Sequence, residues 1–357
     1  MRATGASLDA VAIAVIAPAL TAEQSAVVRA GSGPLLVRAG PGSGKTLVLA
    51  ARVAHLVREG GVPPDRILAL TFARKAAHEL RGRLVRALGD AGRAVDVATF
   101  HAFGLRVIRR WWAELGMPSS RVRVLAGDEA DGLVAGAASS VGLTAGPVLA
   151  GELAEQLARL RQREDTGDAP ASVRALAEAY DDLLRLRGAV DFPAMVSWPL
   201  RLFQRRPDAL ARLRDAYRAV LCDEAQDCSP LQYRMLERLA SGHRSLLLVA
   251  DPDQAIYAWR GADRTVLRRF AEDFREHRVA LLAENFRSTG RIVAVANAVG
   301  SLLGGGAALW TRNPPGEPAR LYVADDEDDE AAFVVAETLR LVRRGSVESA
   351  REVAVLY

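Results

Sequence analysis

Eight residues, Ala39, Gly40, Pro41, Gly42, Ser43, Gly44, Lys45 and Thr46, follow directly on the apolar run Leu35, Leu36, Val37. Glycine reaches backbone angles closed to bulkier residues, so successive N–H groups of such a loop can turn inward and cradle a phosphate chain. Lys45 would then reach the terminal phosphates, and the Thr46 hydroxyl would ligate a magnesium ion. The stretch departs from the strict G-x-x-x-x-G-K-[ST] pattern only in carrying Ala39 at the first glycine. An amphipathic helix is expected over 45–59, its positive dipole end aimed at the phosphates. The loop therefore requires a buried strand on one side, a helix on the other, and an α/β fold.

The chain continues in that rhythm. Thr21 is placed to cap a helix, with Gln24 one turn in, where its amide can both donate to and accept from a base edge. Residues 67–71 read as a buried parallel strand followed by Phe72 and a helix over 73–88. A strand at 95–98 leads through Thr99, Phe100 and His101 into a helix ending near Trp112. Alternating strands and helices predict a doubly wound sheet. From 117 to 206 the strand rhythm stops and a mainly helical insertion is expected.

The sheet resumes at 219–222 and ends in Asp223, Glu224, Ala225, Gln226, Asp227. Asp223 is suited to a magnesium shell and Glu224 to a water attacking the terminal phosphate, although an acidic turn capping a helix from Pro230 is the plainer use of the same charges. After a strand at 245–250, Gln254 stands within seven residues of Tyr257, Trp259 and Arg260. Rings beside a cation suit a stacked single strand of nucleic acid; taken alone they suit packing as well. Following the run 279–282, Arg287 can reach a terminal phosphate across a cleft and Phe286 can stack on a base. A helix from Thr289, a strand at 319–323, an acidic run at 325–330 opening a further helix, and a strand-like end at 351–357 complete the reading.

Charged residues make up 25% and apolar ones 50% of the 357, which excludes a disordered or fibrous chain. The net charge of +4 suits a polyanionic partner. Of 47 basic residues only Lys45 and Lys75 are lysine, and a phosphate loop explains the first, where a compact ammonium fits and a planar guanidinium does not. Cys222 and Cys228 make neither a disulfide framework nor a zinc set, so a reducing compartment, the cytoplasm, is expected. The apolar stretch 10–20 is too short to span a bilayer, and its charge pattern is weak for a signal peptide; no membrane association is expected.

Assembled in this order, these residues resemble the UvrD/Rep/PcrA family of superfamily 1A DNA helicases, ATP-driven motors moving 3′ to 5′ along single-stranded DNA. The resemblance runs from about residue 20 to the last and covers seven motifs. A phosphate loop and an acidic strand end fit many NTPases; Trp259, Arg260 and Gly261 after Gln254, with Thr99, Phe100 and His101, narrow the match. The resemblance implies ATP and Mg2+, with residues 39–46 and Gln24 on the nucleotide and Phe286 stacking on adenine. It implies Thr46 and Asp223 on the metal, Glu224 as catalytic base, and Lys45, Gln254 and Arg287 on the phosphates. For DNA it implies Phe72, His101, Tyr257, Trp259 and Arg260, with single strands and duplex junctions as partners.

The implied layout is a RecA-like P-loop domain in two parts, 1–116 and 207–286, a helical insertion at 117–206, and the start of a second RecA-like domain at 287–357. Leu47 stands where the family usually has an arginine packing on adenine. The later motifs, with a second arginine, would lie beyond Tyr357, so the chain is expected to be the front part of a helicase with weak activity alone. Two alternatives stay open, the motor part of a RecB-like helicase-nuclease and a non-catalytic DNA-binding remnant.

Overall fold

A computed structural model of the chain describes residues 20–143, 147–161, 169–242, 245–257, 262–263, 265–302 and 307–356. The apolar stretch 10–20 lies, but for Leu20, outside them, as do Trp259 and Arg260. The elements are α1 (Ala22–Val28), β1 (Leu35–Ala39), α2 (Lys45–Arg58), β2 (Ile67–Thr71), α3 (Arg74–Leu88), α4 (Asp90–Ala94), β3 (Asp96–Thr99) and α5 (Phe100–Arg110). Then follow β4 (Arg123–Val124), α6 (Asp128–Ser140), α7 (Pro147–Arg161), α8 (Ala171–Leu186), β5 (Ala189–Val190), α9 (Phe192–Arg205) and α10 (Pro207–Ala216). The chain continues through β6 (Ala219–Cys222), α11 (Pro230–Ala240), β7 (Leu246–Ala250), α12 (Val266–Asp273), β8 (Arg278–Leu282), α13 (Gly290–Leu302) and α14 (Glu327–Arg343).

Six strands form one sheet in the order β3-β2-β6-β7-β1-β8, and each pair is parallel. This is the expected α/β architecture of a RecA-like domain. Its strands are near-continuous apolar runs because both faces are covered. Leu68 and Leu70 of β2 enter the core shared with α5 and the later helices, while Ile67 and Ala69 enter the core shared with α1, α2 and α3. That alternation is the period of two a strand imposes. Since all six strands run the same way, the ends of β6, β7, β1 and β8 meet along one edge as neighbours. Ligands bind at the carboxyl ends of such strands.

Local chemistry fixes the helix starts. Thr21 and Gln24 form a capping box on α1, and Thr99 accepts from Ala102 N at 3.2 Å to open α5. Ser229 and Gln232 form a second box on α11, with Pro230 in its first turn. Asp326 caps α14 through Asp329 N at 2.8 Å, so the acidic run does sit at a helix N-terminus. Residues 123–124 and 189–190 pair as a short parallel ladder amid the helices α6 to α9. Contrary to the sequence pattern, 319–323 forms no strand, nor does 353–356. A strand is defined by a ladder partner, and no described residue pairs with either stretch; Leu321 stays 91% exposed.

Candidate active site

The phosphate loop leaves β1 at the centre of that edge. Gly42 and Gly44 have φ of 68° and 84°, the left-handed region, and Gly44 is the residue from which α2 springs. Ser43 Oγ donates to the Gly40 carbonyl at 2.7 Å, and Gly40 N donates to the Leu282 carbonyl at 3.1 Å, tying the loop to β8. From below, α1 is anchored by buried Arg52, which donates to the Val28 and Gly31 carbonyls at 2.8 and 3.2 Å; burial lowers its pKa to about 10. Gln24 is thereby set against the loop. Its Nε2 donates to the Ser43 carbonyl at 3.0 Å and its Oε1 accepts from Thr21 N at 3.1 Å, so both ends of its amide are engaged within the chain.

Lys45 reaches across the edge. Its Nζ lies 3.6 Å from Glu224 and 3.7 Å from Asp251, between two carboxylates. Behind it Thr46 Oγ1 donates to Asp223 Oδ2 at 3.4 Å. Burial, and then the neighbouring Glu224, pushes the Asp223 carboxyl up to about 7. A hydroxyl and a carboxylate side by side are the oxygen donors Mg2+ takes, its other positions being filled by water and phosphate oxygens. No group of three or more His, Cys, Asp or Glu suited to a metal occurs among the described residues, and such a site does not need one.

Glu224 is the one non-glycine residue with positive φ among those described, at 51°. Backbone in this region costs on the order of 1–3 kcal/mol and persists where surroundings impose it. Here Glu224 N donates to Asp223 Oδ1 at 3.0 Å, and the carboxylate accepts from Gln226 Nε2 at 2.9 Å. Gln226 Oε1 in turn accepts from Asp251 N at 2.9 Å, joining the ends of β6 and β7. Gln254 Nε2 donates to Asp251 Oδ2.

These segments close around a cavity of about 380 Å³ lined by residues 41–47, Glu224, Gln254 and Arg287. Lys45, Gln254 and Arg287 therefore line one space with residues 41–46, and Asp223 is buried beside Thr46; Ala39 and Gly40 instead line a neighbouring cavity of about 390 Å³. A smaller cavity of about 210 Å³ is lined by Gln24, Ser43 and Phe286, which brings the expected base-reading and base-stacking residues together. Phe72 and Tyr257 stack on each other with ring centroids 5.3 Å apart and planes at 25°. His101 meets Phe192 edge to face at 5.4 Å, and burial lowers its pKa.

The amino-terminal domain model described as UvrD/REP helicase N-terminal domain matches residues 20–275. The chain belongs to the UvrD/REP helicase family. It is 32% identical over 349 residues to the ATP-dependent DNA helicase PcrA of Staphylococcus epidermidis, covering 95% of this chain and 48% of that protein. It is equally 32% identical to PcrA of Staphylococcus aureus, covering 95% and 47%. The chain spans about half the length of the curated relatives it matches.

This UvrD/REP helicase chain also has site residues that the sequence reading passed over. Glu79 and Arg83, paired at 2.8 Å on α3, line the phosphate cavity. Their signal was a charged helix face three and four residues apart, which any solvated helix shows. Trp310 lines the smaller cavity with Phe286. Asn285 fixes the loop from above, its Nδ2 donating to the Pro41 carbonyl at 2.7 Å.

Proposed function

We propose that this chain is the ATP-binding front part of a DNA helicase that hydrolyses ATP, is stimulated by single-stranded DNA and moves 3′ to 5′. The observation that carries the reading is the single cavity shared by Lys45, Thr46, Glu224, Gln254 and Arg287, which come from four separate stretches of chain. The division into a two-part RecA-like domain, an insertion at 117–206 and a second domain from 287 belongs to the same proposal, as does work on DNA in the cytoplasm.

In this mechanism Lys45 leaves its two carboxylates for the β- and γ-phosphates, and Gln254 and Arg287 hold the γ-phosphate oxygens. Mg2+, held by Thr46 and Asp223, would neutralise charge on those oxygens. Glu224 orients a water and takes its proton as the water oxygen bonds to the γ-phosphorus. The bond from that phosphorus to the β–γ bridging oxygen breaks, leaving ADP and phosphate. Adenine enters the smaller cavity against Phe286. Gln254, released from Asp251 to the phosphate, lies three residues before Tyr257, so nucleotide contact reaches the Phe72–Tyr257 ring pair along a short stretch of backbone. Bases of a single strand stack there and on His101, and Trp259 and Arg260 are further DNA contacts of the same proposal.

ATP hydrolysis by the purified chain, with and without a single-stranded oligonucleotide, tests this beside Glu224→Gln. The expected outcome is a low rate raised by DNA and lost in the variant. Hydrolysis untouched by Glu224→Gln would remove the assigned base, and ATP binding insensitive to Lys45→Ala would remove the site.

A further inference from the structure

Phe286 is not alone on the smaller cavity. Trp310 lines the same space of about 210 Å³, and Ser43 of the phosphate loop lines both this cavity and the phosphate cavity. We propose that Trp310 is a nucleotide-contacting residue, a second ring on which the base of ATP stacks. The inference rests on the reading of this chain as an ATP-binding part of a helicase, and adds to it a residue outside every motif that carried the resemblance.

Both rings have surface to offer, Phe286 being 48% and Trp310 42% exposed. A single exposed ring needs no explanation. Two on one cavity that adjoins a phosphate loop match a planar base joined to a phosphate chain. Stacking is also the contact the lining favours. Gln24 uses both ends of its amide within the chain, and Leu281, Leu282 and Ala283 bring no polar side chain to the wall. Trp310 is held by the chain itself. Its N–H donates to the Ala283 carbonyl at 3.1 Å and its carbonyl accepts from Asn285 N at 2.7 Å, which makes a parallel bridge with Glu284. The Arg312 guanidinium lies 5.3 Å from the centroid of the Trp310 ring, and its Nε pairs with Glu284 Oε1 at 3.4 Å. A ring ordered in advance loses little freedom when a base settles on it. Because Asn285 also donates to the Pro41 carbonyl, the phosphate loop and the Trp310 backbone are tied to one residue.

Calorimetric titration of the full chain with ATP and with inorganic triphosphate, both in the presence of Mg2+, tests the assignment. Trp310→Ala is expected to weaken ATP binding about 5- to 150-fold, the loss of one base–ring stack, and to leave triphosphate binding where it was. Retained triphosphate binding also shows that the variant is folded. Trp310→Phe keeps a ring and is expected to restore most of the ATP affinity. Lys45→Ala is expected to weaken both ligands, which reports on the phosphate loop and not on the ring. An equal loss of ATP and triphosphate affinity in Trp310→Ala would make the residue a structural support, and unchanged ATP affinity would take it out of the site. Either result overturns the proposal and leaves the ATP reading standing. Failure of the parent chain to bind either ligand would overturn the ATP reading itself, and this proposal with it.

Discussion

Asn285 holds Pro41 in place across 244 residues of sequence, its Nδ2 donating to the Pro41 carbonyl at 2.7 Å. The same side chain's Oδ1 accepts from Arg287 N at 2.9 Å and Ser288 N at 2.6 Å, while Phe286 N donates to the Gly42 carbonyl at 2.9 Å. One buried amide thus sets both the loop and the arginine that faces its cavity. Arg287 cannot shift without the loop registering it.

Replacing Asn285 by alanine removes three part-buried hydrogen bonds that join residues 285–288 to the loop and to one another. The expected result is a loss of about 1–3 kcal/mol in stability, read from urea unfolding, together with weaker ATP binding. Asn285→Asp keeps the two acceptor bonds and lacks the donor to Pro41, so it should fall between alanine and the parent. Equal behaviour of all three proteins would show that the amide does not position the loop.

Two glycines with left-handed backbone separate strain from contact. At Gly42, with φ of 68°, an added Cβ would come within 2.8 Å of Asn285 Nδ2 and 2.9 Å of Arg287 Cβ. At Gly89, with φ of 62°, it would meet nothing within 4 Å. Alanine at either position puts a side chain on backbone with positive φ, a strain on the order of 1–3 kcal/mol. Only Gly42→Ala also drives the Asn285 clamp from the loop, so it should lose ATP binding while Gly89→Ala keeps it. Nucleotide titration monitored by fluorescence of a labelled ATP analogue distinguishes the two, and equal affinities would remove the clamp from the account.

What could be read in the sequence follows from the range of the interactions. The phosphate loop was legible because its chemistry is contiguous, and Thr21 with Gln24 because a cap needs only residues three apart. The sheet's two-faced packing was legible in the unbroken apolar runs of β2, β6 and β7. Gln226 and Asn285 stood inside recognised motifs yet gave no hint of their tasks, because a hydrogen bond spanning 25 or 244 residues leaves no periodic trace. Phe192 was hidden for the same reason, its ring meeting His101 from another helix. At 319–323 the alternation of apolar residues was real, but a pattern specifies a face and not the partner that makes a strand.

His101 gives stability a pH dependence of known sign. Burial lowers its pKa in the folded chain below the ordinary value of 6.5, so the unfolded chain binds more protons between the two values. Its contribution is complete above 6.5 and is lost as pH falls from there through the lowered folded value. Urea midpoints at pH 7.5 and 5.5 should therefore draw closer together in His101→Gln than in the parent. An unchanged difference would mean that the ring titrates normally despite its contact with Phe192.

Phe72 and Tyr257 provide the sharpest separation of stacking from charge. Their rings lie 5.3 Å apart at 25°, one following β2 and the other following Gln254, so the pair spans the step from nucleotide to strand. Stacking a base on such a ring is worth about 1–3 kcal/mol and is indifferent to sequence, whereas phosphate contacts set the salt dependence of binding. Phe72→Ala and Tyr257→Ala should each weaken binding of a fluorescent single-stranded oligonucleotide by roughly 5- to 150-fold at fixed salt. The slope of log affinity against log salt should stay where it was, because no phosphate contact is removed. Charge reversal at Arg74, exposed at the start of α3 just after Phe72, should do the opposite and lower that slope. Affinity unchanged by either ring substitution would make the pair internal packing and move the strand's path elsewhere on the sheet edge.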